Sequence, residues 1–436
     1  MSKVAAAGPR KLATWAWALW DWAEQPYPTI IQTFIFATYI TSSYFGDKDA
    51  NTSALSVGNM LAAILVAVTA PVFGRRSDEA GKRKFWLLVN SAALIAIMAL
   101  TYFVMPSPAF LVFGVALYAI GSVVQETAFI NYYAMLRQVT TPANMGKVSG
   151  FAWGLGYVGG IVLLLFSLVG FVLPAHPWFG VSTDAAANIR ILFLLSAAWM
   201  LIFTIPLAIF VPEVPARPAQ AKESLLQSYR SLFAQLKRLR QNSPDALKFL
   251  IASAVYRDGL AGVFTYGAIL GAVAFGFTTT QVIFYGIAAN IVAGIGAALG
   301  GWLDDRIGTK VTIAGSLGGL LLAGLGVFVF AGQGPITYWI GGLILCLFVG
   351  PAQASSRTFV ARFTPDGREG EIFGIYQTTG KITSFLSPTF WLIATGIAGA
   401  LGVVHTAIYG ILGLMVVLGV GLWMLLRVHP NPLLND

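Results

Sequence analysis

The feature that most constrains this chain is a series of long apolar stretches separated by short polar segments. About 20 apolar residues are enough to cross a bilayer as a helix. With 57% hydrophobic and only 10% charged residues, the composition excludes a soluble globular protein. The stretches cover residues 13–41, 53–74, 85–105, 109–138, 149–173, 190–211, 249–276, 279–302, 311–331, 336–362, 372–400 and 403–427. The sequence therefore predicts an all-α membrane protein with twelve transmembrane helices.

A short polar segment is duplicated between these stretches. GRRSDEAGKRK, which begins at Gly74, returns in register as GWLDDRIGTK, which begins at Gly301, 227 positions later. A repeat of this length spans half a protein, and two parallel halves of six helices are one known plan of secondary transporters. The duplication therefore predicts two six-helix halves and indicates transport.

The distribution of basic residues predicts the topology. If the N-terminus is cytoplasmic, alternating spans place most of the 27 Lys and Arg residues on the cytoplasmic side, as the positive-inside rule requires. Both termini are then cytoplasmic, and the net charge of +9 faces anionic lipid headgroups rather than nucleic acid. We expect an N-terminal bundle at 1–211, a cytoplasmic linker at 212–248 and a C-terminal bundle at 249–436. Apolar residues at helical spacing from Leu225 to Leu239 predict an amphipathic interfacial helix in the linker.

The duplicated segments resemble the loop between the second and third spans of the major facilitator superfamily. That loop has a glycine, three residues, an aspartate, a basic residue, one residue, a second glycine and further bases; the first copy departs from it at Glu79. Glycines allow close approach of helices, and an aspartate near a helix N-terminus can act as a latch. A role in membrane insertion alone would explain the bases but not the two aspartates. The candidate gating residues are Gly74, Asp78, Gly81, Arg83, Gly301, Asp305, Arg306 and Gly308.

Four further segments carry a narrower resemblance over nearly the whole chain. They are WALWDWAEQPYPTIIQTF in the first stretch, GKVSGFAWGLGYVGG at the start of the fifth, YRDG in the seventh, and GPAQASSRTFVARFTPDGREGEIFGIYQTTGK between the tenth and eleventh. Together they resemble the vacuolar amino-acid-effluxer-like branch, whose bacterial members are called unknown major facilitators. This resemblance implies the major facilitator fold. We expect a location in the inner membrane of a bacterium. Because the first stretch departs from the branch at residues 23–26, the resemblance does not indicate which solute is transported.

Few charged residues lie inside the apolar stretches. Each costs at least about 2.5 to 3.5 kcal/mol at the bilayer centre, so these side chains should face a wet cavity or one another. The N-terminal half supplies three acids, whereas the C-terminal half supplies three bases, Arg257 among them, and one acid. Polar residues at helical spacing extend the same faces. The candidate substrate and coupling residues are Asp21, Glu24, Gln25, Gln125, Glu126, Asp258, Gln353, Arg357, Gln377 and Lys381.

This arrangement of charge favours transport of a small polar solute. Glu24 or Glu126 could carry a proton, and Arg357 and Lys381 could bind a carboxylate or phosphate. Acids in one half and bases in the other favour a zwitterion, such as an amino acid or small peptide-like solute, over a sugar, a drug-like cation or an inorganic ion. We therefore predict a monomeric secondary active transporter that works by alternating access and is coupled to protons or another ion.

Other functions remain open at this stage. A transporter-like sensor or scaffold without net transport would share these features, as would a facilitative carrier of sugars or organic anions. We expect no enzyme activity and no metal site, because no cluster of His and Cys is present. The third alternative, a membrane-embedded enzyme, would depend on a carboxylate pair such as Asp21 and Glu24. No cofactor is expected, since no segment resembles a nucleotide-binding loop.

Overall fold

The computed structural model describes residues 11–213, 241 and 244–429, and the regular structure within them is helical. The predicted amphipathic helix from Leu225 to Leu239 lies outside the described residues. By contacts, the chain divides into two compact units. The first contains residues 1–141, 155–220 and 367–374, and the second contains 142–154, 221–366 and 375–436. Segment 142–154, from the N-terminal half of the sequence, thus belongs to the second unit. Segment 367–374, from the C-terminal half, belongs to the first.

The helices before the linker build most of the first unit. Their α-helical bounds are α1 Lys11–Glu24, α2 Phe36–Ile40, α3 Lys48–Ala80, α4 Arg83–Thr101, α5 Leu111–Ala134, α6 Leu136–Val139, α7 Met145–Ser167 and α8 Ala187–Phe210. Local sequence signals set some of these ends. The Asp47 carboxylate accepts a hydrogen bond from the Ala50 N–H at 2.9 Å and caps α3. At the other end, Gly81 adopts φ 58° and terminates the helix.

The helices after the linker build most of the second unit. Their bounds are α9 Pro244–Ile269, α10 Thr279–Ile307, α11 Thr309–Val329, α12 Pro335–Phe363, α13 Glu369–Thr383, α14 Leu386–Ala400 and α15 Gly410–Leu426. Gly308 lies between α10 and α11 with φ 92°. This conformation is readily available only to glycine. The duplicated motif thus forms a tight turn in each unit, at Gly81 and at Gly308.

All twelve predicted stretches are helical, and ten described helical segments, with Glu369–Ala400 counted as one across α13 and α14, are long and apolar enough to cross a membrane. The first and seventh stretches are the exceptions, each for a physical reason. The first is broken after Pro26 into α1, a π-helix at Tyr27–Phe34 and α2, because proline removes a backbone donor. The seventh forms α9 and a π-turn at Leu270–Ala274. Its apolar character is interrupted by Arg257 and Asp258.

Candidate functional site

A cluster of carboxylates lies inside the first unit, around Glu24 at the end of α1. Glu24 is 2% exposed. Its Oε1 accepts a hydrogen bond from Gln25 Nε2 at 3.1 Å, and its Oε2 accepts one from Gln125 Nε2 at 2.9 Å. Asp21, one turn earlier, is also buried, and the charges of Asp21 and Glu126 lie within electrostatic range of Glu24. The structure therefore brings together the five candidate residues of the N-terminal half of the sequence.

Glycines on α7 allow α1 to approach closely enough to form this cluster. A Cβ atom at Gly156 would lie 3.0 Å from Gln25 Nε2 and 3.6 Å from the Asp21 Cβ. At Gly160 it would lie 3.1 Å from Gln25 Oε1. Larger residues would meet side chains at both positions. The repeated glycines of the fifth stretch therefore position the polar side chains of α1.

In the second unit, Asp258 binds the backbone where the eleventh predicted stretch is interrupted. Between α13 and α14 the helix is broken, and the Ser387 N–H in the first turn of α14 donates to Asp258 Oδ2 at 2.6 Å. The Ser387 hydroxyl donates to the Asp258 carbonyl at 2.9 Å. A carboxylate at a helix N-terminus satisfies backbone donors that would otherwise lack partners. This geometry accounts for an acid inside a predicted span.

Arg257, beside Asp258, contacts α13. Its Nη1 donates to the Tyr376 carbonyl at 3.0 Å, and its Nη2 donates to Gln377 Oε1 at 2.9 Å. The guanidinium carbon lies 3.7 Å from the centroid of the Tyr376 ring. Lys381 follows Gln377 by four residues and therefore lies on the same side of α13. Arg257 and Lys381 are both half-buried. From the sequence, Arg257 is expected as an intramembrane charge but not as a substrate or coupling residue.

Arg357, from α12, is fully buried and contacts the start of α7. Its Nε donates to the Ser149 hydroxyl at 2.9 Å, and its Nη2 donates to the Ser149 carbonyl at 2.7 Å. The guanidinium carbon lies 4.9 Å from the centroid of the Trp153 ring. Gln353, one turn earlier on α12, is half-buried. In this conformation Arg357 connects two helices of the second unit.

The first copy of the duplicated motif binds the N-terminus of α13. Asp78 Oδ1 accepts the Gly370 N–H at 3.0 Å, and its Oδ2 accepts the Glu371 N–H at 2.9 Å. Arg83 Nε donates to Asp78 Oδ1 at 2.7 Å, and its Nη2 lies 2.5 Å from Glu369 Oε2. Gly74 lies against Gly370 without space for a side chain. The segment 367–374 is thus held in the first unit by a buried charge network.

The second copy binds the N-terminus of α7 in the same way. Asp305 accepts the Gly146 and Lys147 N–H groups, each at 2.8 Å. The base in this cluster is Arg362, which lies 2.7 Å from Asp304 and 2.9 Å from Asp305.

Arg362 is not among the predicted gating residues, but the duplication contains a signal for it. Arg362 lies 225 positions after Arg137, whose Nη1 is 3.6 Å from Glu369 Oε1 in the first cluster. Both arginines shortly precede a Thr-Pro pair. Arg306, a predicted gating residue, lies outside the cluster, exposed and stacked on Trp302 at 3.9 Å.

Gly301 provides a direct test of the close packing at the second motif. A Cβ atom there would lie 2.9 Å from the Gly150 Cα, so Gly301→Ala must move α10 away from α7. We expect a loss of about 1 to 3 kcal/mol, typical of overpacking, measured as a fall of the apparent Tm of the purified protein in detergent. Gly315→Ala is the control, because nothing lies within 4 Å of a Cβ at that position. An equal Tm for both variants would contradict the packing described.

Comparisons with known proteins identify the family. The sequence profile described as "Vacuole effluxer Atg22 like" matches residues 42–430. The uncharacterized MFS-type transporter YxiO of Bacillus subtilis strain 168 is 27% identical over 412 residues, which cover 92% of each protein. Autophagy-related protein 22-1 of Neosartorya fischeri is 25% identical over 279 residues, 57% of this chain and 43% of that protein. The chain thus aligns along nearly the whole bacterial relative but less than half of the fungal one.

Solved structures share the fold at low sequence identity. The proton:xylose symporter XylE, bound to 6-bromo-6-deoxy-D-glucose, superposes with a TM-score of 0.72 at 12% identity, covering 96% of this chain and 95% of that one. The human organic anion transporter MFSD10 superposes with a TM-score of 0.71 at 15% identity, covering 96% and 100%. The twelve-helix major facilitator fold predicted from the sequence is therefore confirmed, and these proteins are transporters rather than enzymes. The chain belongs to the vacuole effluxer Atg22-like family and is a multi-pass membrane transporter of the major facilitator superfamily.

Proposed function

We propose that this transporter moves a small polar solute bearing an anionic group, with an amino-acid-like zwitterion as the favoured class, and that proton movement drives it. The observation that carries the proposal is the environment of Glu24. Both carboxylate oxygens accept hydrogen bonds from amide groups, and among the residues that the structure describes no Lys or Arg bonds Glu24. Neutral amides satisfy the oxygens without cancelling a buried charge. A proton can supply that neutralisation and can leave again during a transport cycle.

Arg257 and Lys381 are our candidates for binding the anionic group of the cargo. Arg257, on α9, donates from Nη1 and Nη2 to Tyr376 and Gln377 of α13, and the residue is half-buried rather than fully enclosed. Arginine provides five N–H donors, and a carboxylate can engage two of them in parallel. Arg357, which is fully buried against Ser149, is better suited to connecting helices in this conformation.

We further propose that Asp78 and Asp305 act as latches in an alternating-access cycle. Each accepts two backbone N–H groups at the start of a helix, where the helix dipole adds to the attraction. Asp78 caps α13, whose first residues belong to the first unit. Asp305 caps α7, whose first residues belong to the second unit. In such a cycle, each aspartate would release the helix that it caps.

The proposed setting is the inner membrane of a bacterium, with both termini cytoplasmic and the protein monomeric. The similarity to a Bacillus subtilis transporter and the distribution of Lys and Arg support the setting and the orientation. We also propose that the bundles 1–211 and 249–436 are joined by a cytoplasmic linker at 212–248.

Transport by the purified protein in liposomes tests the function directly. Labelled amino acids, dipeptides, sugars and organic anions would be screened with and without an inward proton gradient. We expect uptake of an amino-acid-like solute that the gradient increases. Uptake that does not respond to the gradient would contradict proton coupling. Ligand binding without any uptake would instead support a transporter-like sensor.

Arg257→Gln tests the binding of the anionic group. The change removes a charge-assisted interaction worth about 1.5 to 3 kcal/mol, so we expect the Kd for the transported solute to rise by about 10- to 100-fold. Lys248→Gln is a matched control, because Lys248 lies on the same helix, pairs with Asp245 at 3.0 Å and is exposed. Equal affinity of the two variants, measured by calorimetry, would exclude Arg257 from the binding site.

A further inference from the structure

The ends of α10 and α15 carry two matched pairs of arginine and tryptophan on the surface of the second unit. The Arg306 guanidinium carbon lies 3.9 Å from the centroid of the Trp302 ring, and that of Arg427 lies 3.7 Å from the Trp423 ring. In each pair the residues are four positions apart, so they share a helix face. Both arginines are exposed, and the tryptophans are 38% and 53% exposed.

Lys310, at the start of α11, adds a third positive charge. Its Nζ donates to the Leu426 carbonyl at 3.0 Å, directly beside Arg427. Lys310 also follows Arg306 by four residues, which limits the separation of their Cα atoms to about 14 Å. Several apolar side chains on the same helix ends are exposed. They are Leu303, Ile307, Val311 and Leu426. Positive charge and apolar surface therefore adjoin each other here.

The acidic residues near Arg306 and Arg427 pair with other bases and do not neutralise these two arginines. Within residues 11–213, 241 and 244–429, neither Arg306 nor Arg427 forms an ion pair. Asp304 and Asp305 both pair with Arg362. Asp245 pairs with Lys248 at 3.0 Å and lies 3.7 Å from His429. A negatively charged partner would thus complete the surface.

We infer that this surface, formed by Trp302, Arg306, Lys310, Trp423 and Arg427 and called here the Arg-Trp face, binds the phosphate of an anionic glycerophospholipid. Arginine and lysine bind phosphate through charge-assisted hydrogen bonds, tryptophan favours the depth of the lipid headgroups, and the exposed apolar side chains can contact acyl chains. Residues 214–243 of the linker include six Lys or Arg residues and one Glu, so the Arg-Trp face would repel this segment rather than bind it.

The duplication supplies an internal comparison. In the first unit, Lys84 Nζ donates to the Val211 carbonyl at 2.8 Å, which corresponds to the contact between Lys310 and Leu426. The surface charges around it are different. Glu79 occupies the position of Arg306, 227 residues earlier, and pairs with Arg75 at 2.7 Å. After α8, Glu213 accepts the backbone N–H groups of Lys84 and Phe85. The lysine contact is duplicated, but Glu79 and Pro212 stand where the second unit has Arg306 and Arg427, so the inference applies to the second unit only.

Native mass spectrometry of the purified full-length protein, titrated with phosphatidylglycerol or phosphatidylcholine, tests this inference. We expect phosphatidylglycerol to bind more tightly. Arg306→Gln combined with Arg427→Gln should weaken its binding by about 30-fold, since each charge near a membrane surface contributes about fivefold. Both residues are exposed, so the fold should tolerate the changes. Replacing both arginines with lysine keeps the charge and should retain most of the binding.

Arg76→Gln combined with Lys82→Gln is the matched control, because it removes two exposed charges at the corresponding end of the first unit. Its affinity for phosphatidylglycerol should remain within about twofold of the unmodified protein. The inference is overturned by equal binding of the two lipids, or by unchanged binding in the Arg306 and Arg427 double variant. Competition by millimolar inorganic phosphate that displaces all phosphatidylglycerol would also overturn it, because the site would then recognise free phosphate.

Discussion

Glu24→Gln should abolish proton-driven accumulation of the transported solute while preserving exchange of that solute across the membrane. Glutamine has the same shape as glutamate and can still form hydrogen bonds with Gln25 and Gln125, but it cannot carry a proton. One pH unit provides about 1.4 kcal/mol. A transporter coupled to one proton therefore accumulates its cargo about tenfold per pH unit, and the variant should not accumulate it at all. Uptake into liposomes with and without a proton gradient measures both quantities.

Two further variants make this result specific. Asp49→Asn changes an exposed acid in the first turn of α3 and should leave accumulation unchanged. Glu126→Gln changes the half-buried neighbour of Glu24, and we expect it to alter affinity but retain accumulation. Accumulation that is lost with Glu126→Gln and retained with Glu24→Gln would assign the proton to the other acid. If neither change affects accumulation, the cluster around Glu24 does not couple protons.

The hydrophobic pattern was sufficient to predict the fold because bilayer thickness imposes a minimum length on each apolar segment. The same pattern could not predict the interruption of the first stretch as an eight-residue π-helix between Tyr27 and Phe34. Prolines such as Pro26 and Pro28 disfavour a continuous helix, but the hydrogen-bond register after a break depends on the neighbouring helices. Tyr27, for example, donates its hydroxyl to the Tyr118 carbonyl of α5 at 2.7 Å.

The candidate site was predictable in part. Helical spacing was enough to group Asp21, Glu24 and Gln25, because these residues are close in sequence on one helix. The different environments of Arg257 and Arg357 were not predictable, since they depend on the packing of α9 and α12. One arginine contacts Tyr376 and the other contacts Ser149. From the sequence alone, Arg257 and Arg357 are both basic residues within predicted transmembrane stretches and cannot be distinguished.

The two latches are chemically alike, yet their surroundings differ. At the first, Arg83 contacts both Asp78 and Glu369, so a second acid remains for the arginine if Asp78 is lost. At the second, Arg362 contacts Asp304 and Asp305, which are adjacent on one helix. Loss of either aspartate should thus release the capped helix before it unfolds the protein, because each arginine keeps one carboxylate partner.

Asp78→Asn should release the start of α13 selectively. Asparagine keeps one side-chain acceptor, so the change loses one of the two bonds to Gly370 and Glu371 together with the negative charge at the helix N-terminus. Charge-assisted hydrogen bonds contribute about 1.5 to 3 kcal/mol and the helix dipole up to about 2 kcal/mol. We expect hydrogen exchange at residues 369–372, followed by mass spectrometry, to accelerate on the order of 100-fold, with a parallel loss of transport.

Asp305→Asn is the reciprocal experiment, and each variant serves as the control for the other. Its target is the N-terminus of α7, where Gly146 and Lys147 donate to Asp305. Exchange should accelerate at residues 145–148 and remain unchanged at 369–372, because the two caps share no residue. Selective release in both variants, with transport lost in each, is what two separate latches require. Exchange that accelerates in both segments for either single variant would show that the caps open as one unit, and unchanged exchange with normal transport would remove the latch role from that aspartate.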